Sequence, residues 1–149
     1  MKNLFEQTTV QEVNQRLDKL TPSSQRQWGK MNVGQMLAHC SAALEVAVGD
    51  KNPSRIFIGR IIGSFLKPMF SNEKPFGKNS PTDKSFIITD ERDFNKEKLR
   101  LKGLVERFNK GGAEKVTTNP HSFFGKLKPN EWATGMYKHL DHHLRQFGV

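Results

Sequence analysis

The chain has one cysteine, Cys40, in 149 residues. That excludes an internal disulfide framework and suits a reducing compartment. Long hydrophobic runs are also missing. The most apolar stretch, Ile56 to Phe70, is broken by Arg60, Lys67 and Pro68 and is too polar for a membrane span. The opening Met-Lys-Asn-Leu-Phe-Glu-Gln has neither the apolar core nor the small-residue cleavage site of a secretory signal. The expected location is therefore the cytoplasm, with no membrane partner. Negative charge is scarce: 15 acidic residues face 24 basic ones, a formal net charge of +9. Such an excess raises nucleic acid as a partner. Yet the basic residues are spread along the chain. Where they are densest, Lys51 to Lys78, the aromatics are not interleaved with them as a stacking platform requires. No helix-turn-helix, zinc-finger or RNA-recognition pattern is present. The positive surface reads as a solvated one that attracts anionic small molecules, and nucleic acid is not the expected partner. No repeat, low-complexity tract or linker divides residues 1–149, so a single domain is expected.

What is present is mostly helical punctuation. Thr8 or Thr9 is placed to cap a first helix with Val10, Val13, Leu17 and Leu20 at helical spacing. Pro22-Ser23-Ser24 ends it. Asn32 followed by Gln35 is a capping-box pattern, flanked by Met31 and Met36 as a hydrophobic staple, and the helix it starts runs to about Val48. Ser54 to Leu66 forms an apolar helix that Pro68 should end. Ser71 to Asp83 holds Pro75, Gly77, Asn79 and Pro81 and reads as a long loop. Ser85 to Thr89 resembles a short strand with nothing to pair with. Asp93 caps a helix carrying Leu99, Leu101, Leu104, Val105 and Phe108 on its apolar side, and Gly111-Gly112 stops it. Pro129 opens the last helix. The expected fold is all-α, with four or five helices.

The last helix carries the chemistry. With Trp132 at the zero of a wheel advancing about 100° per residue, Met136 falls at about 40°, Leu140 at about 80° and Leu144 at about 120°. His143 lands at about 20° and His139 at about 340°, on or beside that inward stripe. His142, at about 280°, joins Lys138 and Arg145 on a solvated face. An i, i+4 histidine pair lies close enough for both rings to reach one ion. The pair is half of a zincin motif, but Leu140 stands where the glutamate base belongs, which argues against metalloprotease chemistry. A third ligand must come from elsewhere. His39 in the second helix, at the edge of an arc of Val33, Met36, Cys40, Ala43 and Ala47, is the first candidate, and His121 the reserve. A lone inward histidine is ordinarily a hydrogen-bonded core residue. An inward pair on an apolar stripe shifts that balance, because burying two unpartnered imidazoles costs free energy. Cys40 reads as a small buried hydrophobe. His121, Trp132 and Met136 are the candidate pocket residues.

Three segments carry a family resemblance: Trp28-Gly29-Lys30-Met31-Asn32-Val33-Gly34-Gln35-Met36-Leu37-Ala38-His39-Cys40, then His121-Ser122-Phe123-Phe124-Gly125, then Tyr137-Lys138-His139-Leu140-Asp141-His142-His143-Leu144-Arg145-Gln146-Phe147-Gly148. Together they resemble the DinB/YfiT-like metalloenzymes, and within them an uncharacterised branch. The resemblance implies an up-down-down-up four-helix bundle, here with an additional short helix and long loops, and often a homodimer. It also implies a histidine triad with one ligand in the second helix and an HxxxH pair in the last, matching His39, His139 and His143. Many relatives follow the last histidine with Arg-Gly-Gln. This chain has Leu144-Arg145-Gln146, which leaves the ligands intact.

Three neutral imidazoles leave the ion's double charge uncompensated and a coordination position open, the pattern of catalytic sites. Zinc is the first expectation and nickel the second, since imidazole suits both. Characterised relatives of the resembled superfamily include transferases and isomerases that use low-molecular-weight thiols. The first reading is thus a metal-dependent transferase that joins such a thiol to a small-molecule electrophile. Metal-assisted hydrolysis is the alternative, and a metal- or ligand-binding module without turnover the third. No catalytic acid or base is assigned.

Overall fold

In the computed structural model, which describes all 149 residues, the helical spacing becomes five α-helices and no strand. They are α1 (Gln7–Lys19), α2 (Val33–Ala47), α3 (Phe57–Ser71), α4 (Phe94–Gly111) and α5 (Pro129–Gln146), with 3-10 turns at Lys84–Phe86 and Gly112–Glu114. α1 and α2 each pack on both α4 and α5, while α1 does not meet α2 and α4 does not meet α5. The four therefore form a ring in the order α1, α4, α2, α5. α3 lies outside it and, among the helices, packs on α5 alone. The ring encloses one apolar core, to which α1 gives Val13 and Leu17, α2 Met36 and Leu37, α4 Leu101 and Val105, and α5 Trp132, Met136, Leu140 and Leu144. Each such side chain stabilises the fold by about 1.5–3 kcal/mol through burial.

Local chemistry sets most of the ends. Asn32 Oδ1 accepts from the Gln35 amide at 2.8 Å and Gln35 Oε1 from the Asn32 amide at 2.9 Å, closing the capping box of α2. Asp93 accepts from the Lys96 amide at 2.8 Å to start α4, and Gly112 leaves that helix at φ 57°. Pro129 occupies the first turn of α5.

Several expectations are corrected. Glu6, not Thr8 or Thr9, stands at the N-cap of α1, because an Asn3-headed turn precedes it: Asn3 Oδ1 accepts from the Phe5 amide at 2.9 Å. Thr9 lies inside the helix and its hydroxyl donates to Glu6. α3 runs through Pro68 to Ser71. The proline removes one hydrogen bond, but burial of Phe70 against Gly135, Phe124 and Trp132 offsets the loss. The helix outside the ring is accordingly a full fifteen residues rather than a short one. The strand-like Ser85–Thr89 stretch begins in a 3-10 turn capped by Asp83. Leu99 is 75% exposed. It lies about 160° round the helix from Leu101, on the far side from the core.

α3 owes its seat to glycine. A Cβ built at Gly59 would lie 2.6 Å from the Phe123 carbonyl oxygen, and one at Gly63 would intrude on the same atom further still. Gly63→Ala is therefore expected to destabilise by about 1–3 kcal/mol, lowering Tm by roughly 3–10 °C. Gly103→Ala, mid-helix in α4 with open space around its new methyl, should hold or raise Tm. Equal effects of the two in thermal unfolding would contradict this seat for α3.

Candidate metal centre

The inward stripe of α5 faces the inner side of α2, and this brings three imidazoles together. Ring centroids lie 4.8 Å apart for His39 and His139, 4.7 Å for His39 and His143, and 4.7 Å for His139 and His143. One nitrogen from each falls within 4.8 Å of the others, and His39 Nε2 is 2.9 Å from His139 Nε2. Two nitrogens on one tetrahedral zinc, each about 2.1 Å away, stand about 3.4 Å apart. The cluster thus needs shifts of well under two ångströms to hold an ion.

The hydrogen bonds behind the rings decide where the lone pairs point. His39 Nδ1 lies 2.8 Å from the Phe86 carbonyl oxygen, which can only accept, so Nδ1 carries the proton and Nε2 the lone pair. Gln146 Nε2 donates to the Trp28 carbonyl at 2.7 Å, which turns Gln146 Oε1 toward His143 Nδ1 at 2.9 Å. His143 must donate there, which leaves its Nε2 as an acceptor, while His39 Nε2 accepts from His139 Nε2–H at 2.9 Å, the proton that a bound ion would displace. Backing imidazole N–H groups with oxygen acceptors is how proteins fix metal-binding histidines. Gly29, at φ 80°, lets the backbone approach Gln146 where a Cβ would collide with its amide. His139 has no such backing acceptor.

Electrostatics keeps these rings neutral, as coordination requires. Desolvation lowers the pKa of His39, takes His139 well below the ordinary imidazole value, and brings His143 to about 3. Repulsion from neighbouring histidines, His142 among them, adds to it. No carboxylate is among the groups that shift any of the three. His39 and His143 are buried, and His139 alone retains partial exposure.

Other expected residues fall elsewhere. His121 is not part of the triad. Its Nδ1 accepts from the Phe123 and Phe124 amides at 3.0 and 3.3 Å, and its ring packs on Phe70, Phe124 and Trp132. Trp132 and Met136 are core side chains at 1% and 3% exposure. His142 is not solvated as expected; it packs against Trp28 and Phe76. Lys138 is buried as well, donating to the Met69 carbonyl at 2.6 Å and Asn72 Oδ1 at 2.9 Å. The wheel could not foresee that the end of α3 and the segment after it cover this flank of α5. Gln146 and the Phe86 and Trp28 carbonyls escaped the sequence reading. Only the position of Gln146, three residues after His143, hinted at a role.

Residues 2–148 match the family described as "Protein of unknown function (DUF1569)", and the chain belongs to that family. No curated protein and no solved structure matches it.

Two outcomes follow for the purified protein. Zinc at about a hundred times its dissociation constant should add about 2.7 kcal/mol of stability, raising Tm by roughly 5–10 °C. His139→Ala should abolish that rise, and Gln146→Leu should weaken zinc binding about 10–100-fold. A wild-type Tm indifferent to zinc and nickel would sink the site. The second outcome concerns pH. Burial holds His121 at about 4, against 6.5 as its ordinary value. Below 6.5 the unfolded chain binds the extra proton, so this part of the stability is complete above 6.5 and is lost as pH falls toward 4. Urea midpoints at about pH 7.5 and 5 should show that fall. His121→Asn, whose Oδ1 can accept from the same amides, should make the fall shallower by one imidazole's share, the other buried histidines keeping the rest; an unchanged slope would remove burial of His121 as a contributor.

Proposed function

We propose that this member of the DUF1569 family is a metal-dependent enzyme that transfers a low-molecular-weight thiol to a small electrophile. The observation that carries the reading is a centre of three neutral imidazoles with no carboxylate facing it. A divalent ion, zinc first and nickel second, would supply Lewis acidity that lowers the pKa of a thiol at its open position. His39, His139 and His143 would hold it through their lone pairs, and the Phe86 carbonyl and Gln146 would keep two of those lone pairs aimed inward. In the net change the S–C bond forms as the bond from carbon to its leaving group breaks. The leaving group departs with the electron pair, and the thiol proton passes to solvent.

Hydrolysis at the same centre would gain from a carboxylate base. Asp141, the acid nearest in sequence, is instead held by Arg16 at 2.8 Å. A thiol ionises near neutrality without such a base, which favours it over water. The DinB/YfiT-like assignment, its up-down-down-up course and a cytoplasmic location belong to the same proposal. Support comes from the ring of four helices, with one histidine on the second helix and a pair on the last.

Zinc- or nickel-loaded protein should accelerate addition of cysteine or glutathione to an aryl halide or epoxide, and His139→Ala should lower that rate by about 100-fold or more. Metal binding accompanied by ester hydrolysis without thiol turnover would replace this reading with the hydrolytic one. Metal binding with neither activity across a panel of acceptors would leave a binding module.

A further inference from the structure

α3 exposes more apolar surface than any other element of the molecule. Phe65 is 84% exposed, Phe57 78%, Ile61 60%, Met69 59%, Ile58 52% and Ile62 37%. With Phe57 at zero on a wheel, these six occupy an arc from 0° to about 140° that contains no charged residue. At roughly 200 Å² for a whole large apolar side chain, they present on the order of 700 Å². The largest apolar patch of an ordinary monomer is about 300–600 Å². A standard interface buries about 800 Å² from each partner.

The exposure follows from how α3 is seated. Its opposite face, at about 200–240°, is Gly59, Gly63 and Phe70. The two glycines lie on the Phe123 backbone, and Phe70 fills the gap over Gly135. Turning the helix to bury the isoleucines would drive large side chains into positions where even a methyl collides. The apolar arc has no place in its own core.

We propose that this face is where two copies of the chain pair about a two-fold axis. Phe57, Ile61, Phe65 and Met69 form one i, i+4 row and Ile58 and Ile62 another, and such ridges mesh with their own kind. A two-fold pairing closes on itself, so the stripe is used up in a dimer. Charge sits only at one margin of the arc, with Arg60 at about 300° and Lys67 at about 280°. Lys67 is already engaged by Glu131 at 2.9 Å. A lipid surface would require a water-facing side rich in Lys and Arg opposite the apolar arc, and here that side is packed against protein. The pairing stands independently of the metal reading.

Sedimentation and light scattering across roughly 1–100 μM protein should find wild type dimeric. Ile61→Asp with Phe65→Asp should weaken association by at least about 30-fold. Helicity and the zinc-induced rise in Tm should survive. Leu99→Asp, on an equally exposed leucine of α4, should leave the dimer intact. In wild type, hydrogen exchange across α3 should slow as concentration rises, a readout that needs no variant to fold. A monomer at the highest concentration overturns the proposal. So does a dimer indifferent to the paired substitution, or a monomer that instead binds anionic vesicles.

Discussion

A buried imidazole offers its lone pair in a chosen direction only when its other nitrogen has somewhere to leave a proton. Two oxygen acceptors do this for the triad: the Phe86 carbonyl behind His39 and Gln146 behind His143. Each belongs to a segment that must itself be held. Phe86 ends a 3-10 turn whose start Asp83 caps, and Gln146 is oriented by the Trp28 carbonyl in the connection between α1 and α2. The loops that look like slack between helices are therefore what orient the histidines. The helices set only their distance.

The same division explains what could be read beforehand. Element existence and the HxxxH stripe were legible because both rest on short-range periodicity: Trp132, Met136, Leu140 and Leu144 recur at helical spacing, and His139 and His143 ride the same face. The capping box was legible because Asn32 and Gln35 satisfy one another within one turn. His39 came partly from its edge position and partly from resemblance. Lys138 and His142 were misplaced because their surroundings come from residues 69–76, more than sixty positions away in sequence. Periodicity reports which way a side chain leaves its own helix, and nothing about what a distant segment lays over it.

α3 shows the converse case. Its apolar residues suggest an ordinary buried helix, and its glycines suggest weakness. The two are one feature: Gly59 and Gly63 allow backbone-to-backbone contact with the 121–125 turn, and that contact leaves the apolar arc outside. Pro68 survives in the last turn because Phe70 beyond it anchors the segment that goes on to meet Lys138 and His142. The packing of α3 thus reaches the histidines through α5, on which both depend.

Charge balance gives the last constraint. Three neutral imidazoles and no facing carboxylate would leave a bound divalent ion with its full charge in a site from which water is largely excluded. Such an ion is held less firmly than one balanced by acids, and an anion at the open position restores the balance. By linkage, whatever free energy an anion gains from the ion, the ion gains from the anion. On the proposed reading the thiol is then part of what retains the metal as well as its target, and a chain of net charge +9 draws such anions toward it. A carboxylate in place of one histidine would bind the ion more tightly and, by cancelling its charge, weaken its hold on the thiol.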